Sequence, residues 1–306
     1  MMKKLSVIIC THNPRKEYIN RVLKALSSQT LSQELWELLI IDNASDDPNY
    51  VPSFDLSWHQ NAQIFRETKL GLTWARIAGI KASQSPYLVF VDDDNVLEPN
   101  YLKNIIEIFQ ANPDLGSIGG KSIPEFEIQP EPWFSQVNLR LGCRNLGEEV
   151  RTYCYSKPTQ HPKKYPDFAP VGAGMALQRE AAEIYMKKIT ATQTSLVLDR
   201  TGKNLSSGGD CDINLTLLDE GWGVGYFPQL KLTHLIPAGR LTKDYLARLN
   251  RGISCSWVQV LDMHEIRPWS KISQWTVFPR KVRAFFNYQP WKDPVSYIRW
   301  QGACGM

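Results

Sequence analysis

Apolar residues in the first half of the chain gather in short runs that stop abruptly at polar loops. Runs without strict alternation, rich in aliphatic and β-branched residues, are typical of strands buried on both faces of a parallel sheet. Three such runs are residues 5–10, 36–41 and 87–91. Between them, apolar residues recur at helical spacing, as in residues 19–26. Repeated strand and helix units predict an α/β fold with a Rossmann-like, mostly parallel sheet flanked by helices.

The same patterns predict the remaining elements and a division into domains. Asn13 is a plausible N-cap for the first helix, with Pro14 at its first helical position. Further strands are predicted at 63–66, 172–178, 224–227 and 230–234, and helices at 72–82, 99–110, 179–187, 213–219 and 241–263. Residues 121–170 lack periodicity and predict an ordered insertion that shapes a pocket within a main domain at 1–240, followed by a helical extension at 241–306.

The apolar run that begins at Tyr87 ends at three adjacent carboxylates, Asp92, Asp93 and Asp94. In open α/β sheets, ligands bind outside the carboxyl ends of the strands. Three neighbouring carboxylates repel one another, and a bound divalent cation with a preference for oxygen relieves that repulsion. A solvated acidic turn is the alternative interpretation.

Other polar side chains follow the ends of other predicted strands. Thr11 follows the first run and Asp42 the second, while Asp210 stands at a loop-to-helix junction much later in the chain. Because the carboxyl ends of parallel strands meet at one edge of a sheet, we expect Thr11, Asp42 and Asp92 to lie at the same edge.

Composition excludes several classes of protein. The formal net charge of +4 is too small to indicate nucleic acid as a partner, and 43% hydrophobic residues suffice for a full core. Six scattered cysteines without a C-x-x-C pair argue against a zinc site and a disulfide scaffold, so we expect reduced thiols and a cytoplasmic location. The apolar run after the first residues is too short for a signal peptide, and no stretch suffices to span a membrane.

Five segments, taken together, resemble the family-2 glycosyltransferases of GT-A fold. The segments are 5–13 (LSVIICTHN), 40–46 (IIDNASD), 70–76 (LGLTWAR), 90–94 (FVDDD) and 208–212 (GGDCD). The likeness covers roughly residues 5–234 and implies an inverting transferase that uses a nucleotide-diphosphate sugar, with UDP as the expected nucleotide. The acceptor it implies is a saccharide or a lipid-linked glycan in glycan or polysaccharide biosynthesis.

The resemblance assigns a metal site and a donor site to particular residues. Asp92 and Asp94 match the D-x-D element that holds Mn²⁺ or Mg²⁺, and His234 matches a position near the metal or diphosphate. The donor would lie against Thr11, Asn13, Asp42, Lys69, Arg76, Asp92, Asp93 and Gly174. Structural alternatives stay open for four of these assignments: Asp42 as a turn cap, Lys69 in a surface salt bridge, His234 hydrogen-bonded within the fold, and Gly174 at a tight packing point.

The resemblance also implies a catalytic base among the late acids. Inverting transfer needs a base for the acceptor hydroxyl, and Asp210 is our first choice, with Asp212 as the rival. Either acid could instead cap a helix N-terminus. The family's usual Glu before this Asp is replaced by Gly209, which leaves a non-catalytic nucleotide- or glycan-binding protein as an alternative. A sugar-nucleotide nucleotidyltransferase is disfavoured, since no glycine-rich basic loop follows the first strand.

Residues 266–300 combine several tryptophans with Arg and Lys. Such segments bind anionic membrane surfaces, or they bury their aromatic rings in subunit contacts. The sequence predicts no oligomeric state and names neither the sugar nor the linkage.

Overall fold

The structure is a computed structural model that describes residues 3–137, 139, 141–155, 164–192 and 205–306. The helices in that part of the chain are α1 (Lys16–Ser27), α2 (Leu72–Ala82), α3 (Tyr101–Ala111), α4 (Arg179–Thr192), α5 (Gly209–Asp219), α6 (Lys243–Met263), α7 (Gln274–Tyr288) and α8 (Pro294–Gly305). The strands are β1 (Leu5–Thr11), β2 (Trp36–Asn43), β3 (Ala62–Glu67), β4 (Tyr87–Asp92), β5 (Asn95–Leu97), β6 (Leu115–Phe126), β7 (Arg151–Tyr153), β8 (Ala176–Gln178) and β9 (Gly223–Ile236).

The chain divides into two compact units. The first comprises Met1–Glu125, Gly142–Leu196 and Gly209–Leu235, and the second comprises Phe126–Leu141, Val197–Gly208 and Ile236–Met306. The predicted boundary near residue 240 stays a prediction. Residues 156–163 of the predicted insertion lie outside the described residues.

One mixed sheet organises the first unit. Its order among the described strands is β3-β2-β1-β4-β8-β6-β9-β5, and β7 pairs with β9. Strand β1 runs parallel to β2 and β4, with Thr11 opposite Asp42 and Cys10 opposite Asp92. The carboxyl ends of these strands therefore lie at one edge, as predicted. The α/β fold with helices on the sheet is confirmed, while β8, β5 and β7 pair in antiparallel fashion.

Alternate residues of β1 supply two cores on opposite faces of the sheet. Leu5, Val7 and Ile9 pack with apolar residues of α1 and α3. Ile8 and Cys10 pack on the other face with residues of α2, α4 and α5. This period of two explains why the run shows no polar alternation, since both faces of the strand are covered.

Two boundaries in the second half of the sequence differ from prediction. Strand β9 is continuous from Gly223 to Ile236, whereas two strands were predicted. Pro228, which lacks an N–H donor, lies between the stretch of β9 that pairs with β7 and the stretch that pairs with β5, so it removes no hydrogen bond from either of those two ladders. Helix α5 begins at Gly209 and not at residue 213, because acids are favoured in a first helical turn.

Two loop assignments are also corrected. Asn13 is not the N-cap of α1, which begins at Lys16 after Arg15. Asn13 has φ 51° and its main-chain N–H donates to Ser45 Oγ at 2.9 Å, so it belongs to the loop after β1. Strand β8 is limited to Ala176–Gln178, because Gly174 has a left-handed φ of +73°.

The second unit is helical, as predicted for the C-terminal region. Leu246 and Ala247 of α6 pack with Val295 and Ile298 of α8 and with Val137. Asn250 Nδ2 donates to the carbonyl oxygen of Ile298 at 2.9 Å and ties the two helices together. None of the described helices combines the length and the apolar character that a membrane span requires.

Candidate active site

The acidic run after β4 is bonded to the end of β1. Thr11 Oγ1 donates a short hydrogen bond to Asp93 Oδ2. The main-chain N–H of Asp92 lies 3.3 Å from Asn95 Oδ1, which fixes the turn that leads into β5. Asp92 and Asp93 are half-buried. Asp93 therefore links the turn after β4 to the end of β1, and its contact with a donor stays a prediction.

Asp94 and His234 form a buried pair beyond the end of β4. His234 Nε2 lies 3.3 Å from Asp94 Oδ1, and Cys143 Sγ lies 3.7 Å from His234 Nδ1. The side chains of Asp94 and His234 are 7% and 6% exposed. Burial lowers the pKa of His234, but the charge and hydrogen bond of Asp94, with a smaller contribution from Cys143, outweigh it and raise the pKa to about 10.

The pair fits a divalent cation that displaces the proton shared with His234, because only a neutral imidazole can act as a metal ligand. Two ligand atoms in adjacent octahedral positions at about 2.1 Å from Mg²⁺ or Mn²⁺ are ~3 Å apart. The observed separation between Asp94 Oδ1 and His234 Nε2 is 3.3 Å. Carboxylate and imidazole donors suit Mn²⁺, and carboxylate suits Mg²⁺. Within the described ranges no group of three His, Cys, Asp or Glu side chains forms a ready-made site, so a cation here needs further ligands from a substrate.

Asp42 is held by an arginine and a main-chain amide. Arg66 Nη1 forms a short ion pair with Asp42 Oδ2, and Arg66 Nη2 donates to the carbonyl oxygen of Ser45 at 2.9 Å. The N–H of Ser45 donates to Asp42 Oδ1 at 3.1 Å, so the predicted turn cap is present. Asp42 is 1% exposed, and its buried charge is compensated by Arg66, its register partner on β3.

Asn13 and Lys69 have clear structural partners. Asn13 and Asp46 exchange two hydrogen bonds of 2.9 Å. Lys69 Nζ lies 4.3 Å from the ring centroid of Trp74, a cation–π contact in place of the surface salt bridge considered above. Asn43 accepts from the N–H of Gly71 and donates to the carbonyl oxygen of Lys69, which joins the loop after β2 to the start of α2.

Arg76, Gly172 and Asp210 meet beside β4. Asp210 Oδ2 accepts the N–H of Gly172 at 2.9 Å. A Cβ at position 172 would lie 2.6 Å from Arg76 Nη2 and 3.8 Å from Asp210 Oδ2, so only glycine leaves room for the guanidinium. Arg76 is 3% exposed, and its Cζ lies 5.3 Å from the ring centroid of Phe90, two residues before Asp92.

The two late acids occupy different environments on α5. Asp210 is half-buried at the second residue of the helix, whereas Asp212 is fully buried. Lys188 Nζ lies 3.6 Å from Asp212 Oδ1, which places Asp212 in an ion pair between α4 and α5. Between the two acids, burial and the charge of Asp210 raise the pKa of the Cys211 thiol to about 12, so Cys211 is no nucleophile.

Gly174 has a packing reason for being glycine. Its φ is +73°, and a Cβ there would lie 2.3 Å from the Tyr101 hydroxyl oxygen and 2.6 Å from Leu232 Cδ2. The Tyr101 hydroxyl donates to the carbonyl oxygen of Gly174 at 2.8 Å. The predicted contact with a donor sugar stays a prediction, and the packing alternative is observed.

A comparison of the sequence with known protein families agrees with this geometry. The family described as "Glycosyl transferase family 2" matches residues 6–185, which is more than half of the chain. The chain belongs to glycosyl transferase family 2. The match covers the parallel strands and the loops that carry Thr11, Asp42, Arg76 and Asp92, and extends into α4.

Several curated proteins resemble this family-2 glycosyltransferase. It is 26% identical over 163 residues to the glucosyl-dolichyl phosphate glucuronosyltransferase of Haloferax volcanii, covering 48% of this chain and 49% of that protein. It is 32% identical over 189 residues to glycosyltransferase AglE of the same organism, covering 58% and 61%. It is 28% identical over 134 residues to the poly(ribitol-phosphate) beta-N-acetylglucosaminyltransferase TarP of Staphylococcus aureus, covering 40% of each. The chain spans about half the length of the curated relatives that it matches.

Sequence reasoning missed three side chains that position the site of this glycosyltransferase. Arg66 neutralises Asp42, a pairing that follows from the β2–β3 register and from no motif. Cys143 contacts His234 from 91 residues away. Asn214 donates to the carbonyl oxygens of Asp210 and Pro170 at 2.8 Å, and so ties α5 to the loop that carries Gly172. The spacing of Asn214 four residues after Asp210 was the one available signal.

Proposed function

We propose that this protein transfers a sugar, with inversion at the anomeric carbon, from a UDP-sugar to a saccharide or lipid-linked acceptor. The observation that carries the proposal is the pairing of Asp94 with His234 at the carboxyl edge of the sheet, 3.3 Å apart and almost fully buried. A carboxylate and an imidazole in this position suit a cation that binds a nucleotide diphosphate.

The nucleotide would lie at the ends of β1 and β2. A carboxylate offers about four lone-pair sites. Asp42 uses one on Arg66 and one on the Ser45 N–H, so it retains capacity to accept the imide N–H of uracil. Thr11 lies opposite Asp42 in the register, and its hydroxyl, which donates to Asp93, would accept a hydrogen bond from the base or ribose. Uracil has this imide donor and cytosine lacks it, which favours UDP over CDP, and the choice of UDP over the other nucleotides rests on the family resemblance.

Asp92, Asp94 and His234 would hold Mn²⁺ or Mg²⁺. When bound, such a cation neutralises the charge that builds on the departing diphosphate. Arg76 would add a fixed positive charge near the same phosphates, as its guanidinium lies beside β4 within 5.3 Å of Phe90. Lys69 would contribute less than Arg76, since its ammonium is exposed, screened by solvent and stacked on Trp74.

Asp210 is the proposed base. Its carboxylate is oriented by the Gly172 N–H at 2.9 Å and remains half-exposed, so an acceptor hydroxyl can reach it. In the transfer step the hydroxyl proton moves to Asp210 while the acceptor oxygen bonds to the anomeric carbon and the bond from that carbon to the diphosphate breaks. Asp212 is buried against Lys188 and would support the helix.

The named relatives support the acceptor class. One is a glucosyl-dolichyl phosphate glucuronosyltransferase and another acts on poly(ribitol-phosphate), so lipid-linked and polymeric acceptors both occur among similar proteins. We include both classes in the proposal and assign no particular sugar.

A donor panel tests the proposal. The protein is incubated with UDP-, GDP-, ADP- and dTDP-sugars, first with Mn²⁺ and then with a chelator, and nucleotide release is measured. We expect release from one or two UDP-sugars that stops with chelator and returns when Mn²⁺ is restored. Arg66→Lys should weaken donor binding, because it loses the fork that holds Asp42.

Four results would contradict parts of the proposal. Release that is unaffected by chelator argues against the cation. Release from a GDP-sugar alone argues against UDP as the nucleotide, and release from an ADP-sugar alone argues against base recognition through Asp42, because adenine has no ring N–H on its Watson–Crick edge to donate. Tight binding of UDP without turnover of any donor, tested with lipid-linked and free saccharide acceptors, favours the non-catalytic binding protein.

A further inference from the structure

The exposed hydrophobic surface of this protein is concentrated in one short segment. Among the described residues, ten of the fourteen large hydrophobic side chains that are exposed lie between Trp269 and Trp291. Trp275 is 92% exposed, Phe278 75% and Phe286 63%. Scattered exposed apolar residues need no explanation, whereas a contiguous aromatic patch marks an interaction site.

Helix α7 contributes no buried residue, although it is strongly amphipathic. At 3.6 residues per turn, Trp275, Phe278, Val282 and Phe286 lie on one face, while Arg280 lies on the opposite face and Lys281 and Arg283 lie on the two flanks. A helix in a globular protein normally buries such an apolar face against a core. Here that face is at the surface.

Within the second unit, α7 is attached to its neighbours through the side of the helix that carries Phe285. Phe285 packs against Trp291 and Trp300, with ring centroids 5.0 and 5.7 Å apart. Trp300 belongs to α8. This attachment orients α7 on α8 and leaves Trp275 and Phe278 exposed.

The charged residues of this segment are all basic. Residues 266–292 contain six Arg or Lys and no Asp or Glu. Because the whole chain has a formal net charge of +4, all the other residues together carry −2. Arg267 is ion-paired with the neighbouring Asp262, and the remaining five are Lys271, Arg280, Lys281, Arg283 and Lys292. The positive charge of this protein is thus located where its exposed aromatic rings are.

We propose that α7 binds the surface of an anionic lipid bilayer, with Trp275, Phe278 and Phe286 in the headgroup and acyl boundary. An interfacial helix has aromatic residues on one face and Arg and Lys on the other, and lies in the plane of the membrane. The basic side chains then reach the negative headgroups, and each contributes to binding. A second copy of this chain is the weaker candidate, because two segments with this excess of positive charge repel each other.

The inference is independent of the proposed reaction, since lipid binding requires neither donor nor cation. If α7 binds a bilayer, the protein would meet a lipid-linked acceptor at that same membrane surface. Failure of lipid binding leaves the proposed transfer reaction untouched, and failure of transfer leaves the lipid surface untouched.

Vesicle flotation with the full chain tests the proposal. The probes are vesicles of phosphatidylcholine alone and of phosphatidylcholine mixed with phosphatidylglycerol. We expect flotation with the anionic vesicles only, weakened by high salt, together with a blue shift of tryptophan emission. Trp275→Ser combined with Phe278→Ser should weaken binding by ~10-fold or more through loss of apolar contact. Arg280→Glu combined with Lys281→Glu should weaken it by ~30-fold or more.

Matched variants separate this surface from general effects. Lys16→Glu with Lys24→Glu makes the same change in net charge on α1, where both lysines are exposed, and should float like the wild type. Val150→Ser removes a residue that is 52% exposed outside the segment and should also have no effect. Circular dichroism should be unchanged in all variants, because the substituted side chains are exposed.

Three outcomes would overturn the proposal. The first is wild-type protein that fails to float with anionic vesicles. The second is flotation that survives both double substitutions in α7. The third is a dimer, seen by sedimentation velocity without vesicles, that the Trp275→Ser and Phe278→Ser variant abolishes, since the apolar face would then be covered by a second copy.

Discussion

The carboxyl edge of the sheet and helix α7 depart in opposite ways from the usual pattern, in which charged side chains are exposed and apolar side chains are buried. At the edge, charged groups are buried: Arg76 is 3% exposed and Asp94 5%. On α7, aromatic groups are exposed, with Trp275 at 92%. A buried charge must be compensated by a neighbouring group, as Asp94 is by His234. An exposed aromatic face instead indicates a surface that binds another molecule. The edge is therefore suited to a small charged ligand and α7 to an extended surface.

The largest effect that would sharpen this contrast is expected from Asp94→Asn. The variant removes one charge from the expected cation site and keeps the size of the side chain. Loss of electrostatic stabilisation at a reacting centre costs about 10²–10³ in rate, so nucleotide release should fall by ~10²-fold or more. Release is measured with saturating UDP-sugar and Mn²⁺.

Flotation with anionic vesicles serves as the control for Asp94→Asn and should be unchanged, because Asp94 is in the other unit. Asp55→Asn, an exposed carboxylate, should leave release unchanged. If Asp94→Asn released nucleotide at the wild-type rate, Asp94 would not belong to the expected cation site.

The next effect is on stability at the edge. Gly174→Ala must accommodate a Cβ 2.3 Å from the Tyr101 hydroxyl at a φ of +73°. Overpacking and backbone strain together should lower the free energy of unfolding by about 2–4 kcal/mol. Gly147→Ala is the matched control, since it has a φ of +91° and open space around it. If both variants lose the same stability in urea unfolding, strain alone accounts for Gly174.

Buried titratable groups predict a pH dependence in the first unit. Burial lowers the pKa of His59 to about 4 from its usual 6.5. Because the unfolded chain binds the proton first, His59 contributes stability that is complete above about pH 6.5 and is lost as the pH falls toward 4. Wild type should lose ~2 kcal/mol more than His59→Phe over that range. Parallel curves for the two proteins would contradict the burial of a neutral imidazole.

The smallest effect concerns α7. Trp275→Ala should change the free energy of unfolding by less than ~0.5 kcal/mol, because the ring has no buried contacts to lose. Trp36→Ala, at a fully buried tryptophan, is the comparison and should cost about 3–5 kcal/mol. A loss at Trp275 similar to that at Trp36 would show that α7 supports the fold through this face.

The strands at the edge could be predicted from the sequence because a short continuous run of apolar residues is enough to indicate a strand buried on both faces. Residues 87–91 end at the carboxylates as expected, and α2 has the predicted bounds Leu72–Ala82. The predicted division of β9 at Pro228 is wrong, because Pro228 falls between the residues that pair with β7 and those that pair with β5, and neither partner is visible from the local sequence. Local patterns hold no information about such partners.

The placement of several candidate residues at one sheet edge was predictable from the sequence, and the partners of those residues were not. The positions of Thr11, Asp42 and Asp92 at one edge followed from the parallel sheet. Partners such as Arg66 for Asp42 and Cys143 for His234 depend on register and on long-range packing. The different environments of Asp210 and Asp212 depend on Gly172 and Lys188, which approach from elsewhere in the chain.

The central claim is that the edge performs sugar transfer with Asp210 as the base, and a pair of variants tests it most directly. Transfer to acceptor and donor affinity are measured for Asp210→Asn and Asp212→Asn. We predict that Asp210→Asn binds donor normally and loses ~10²–10⁴ in transfer rate, as expected for loss of a general base. Asp212→Asn should keep transfer per folded molecule and lower the melting temperature, because the ion pair between Asp212 and Lys188 is lost. An active Asp210→Asn beside a folded, inactive Asp212→Asn would contradict the account and assign the base to Asp212.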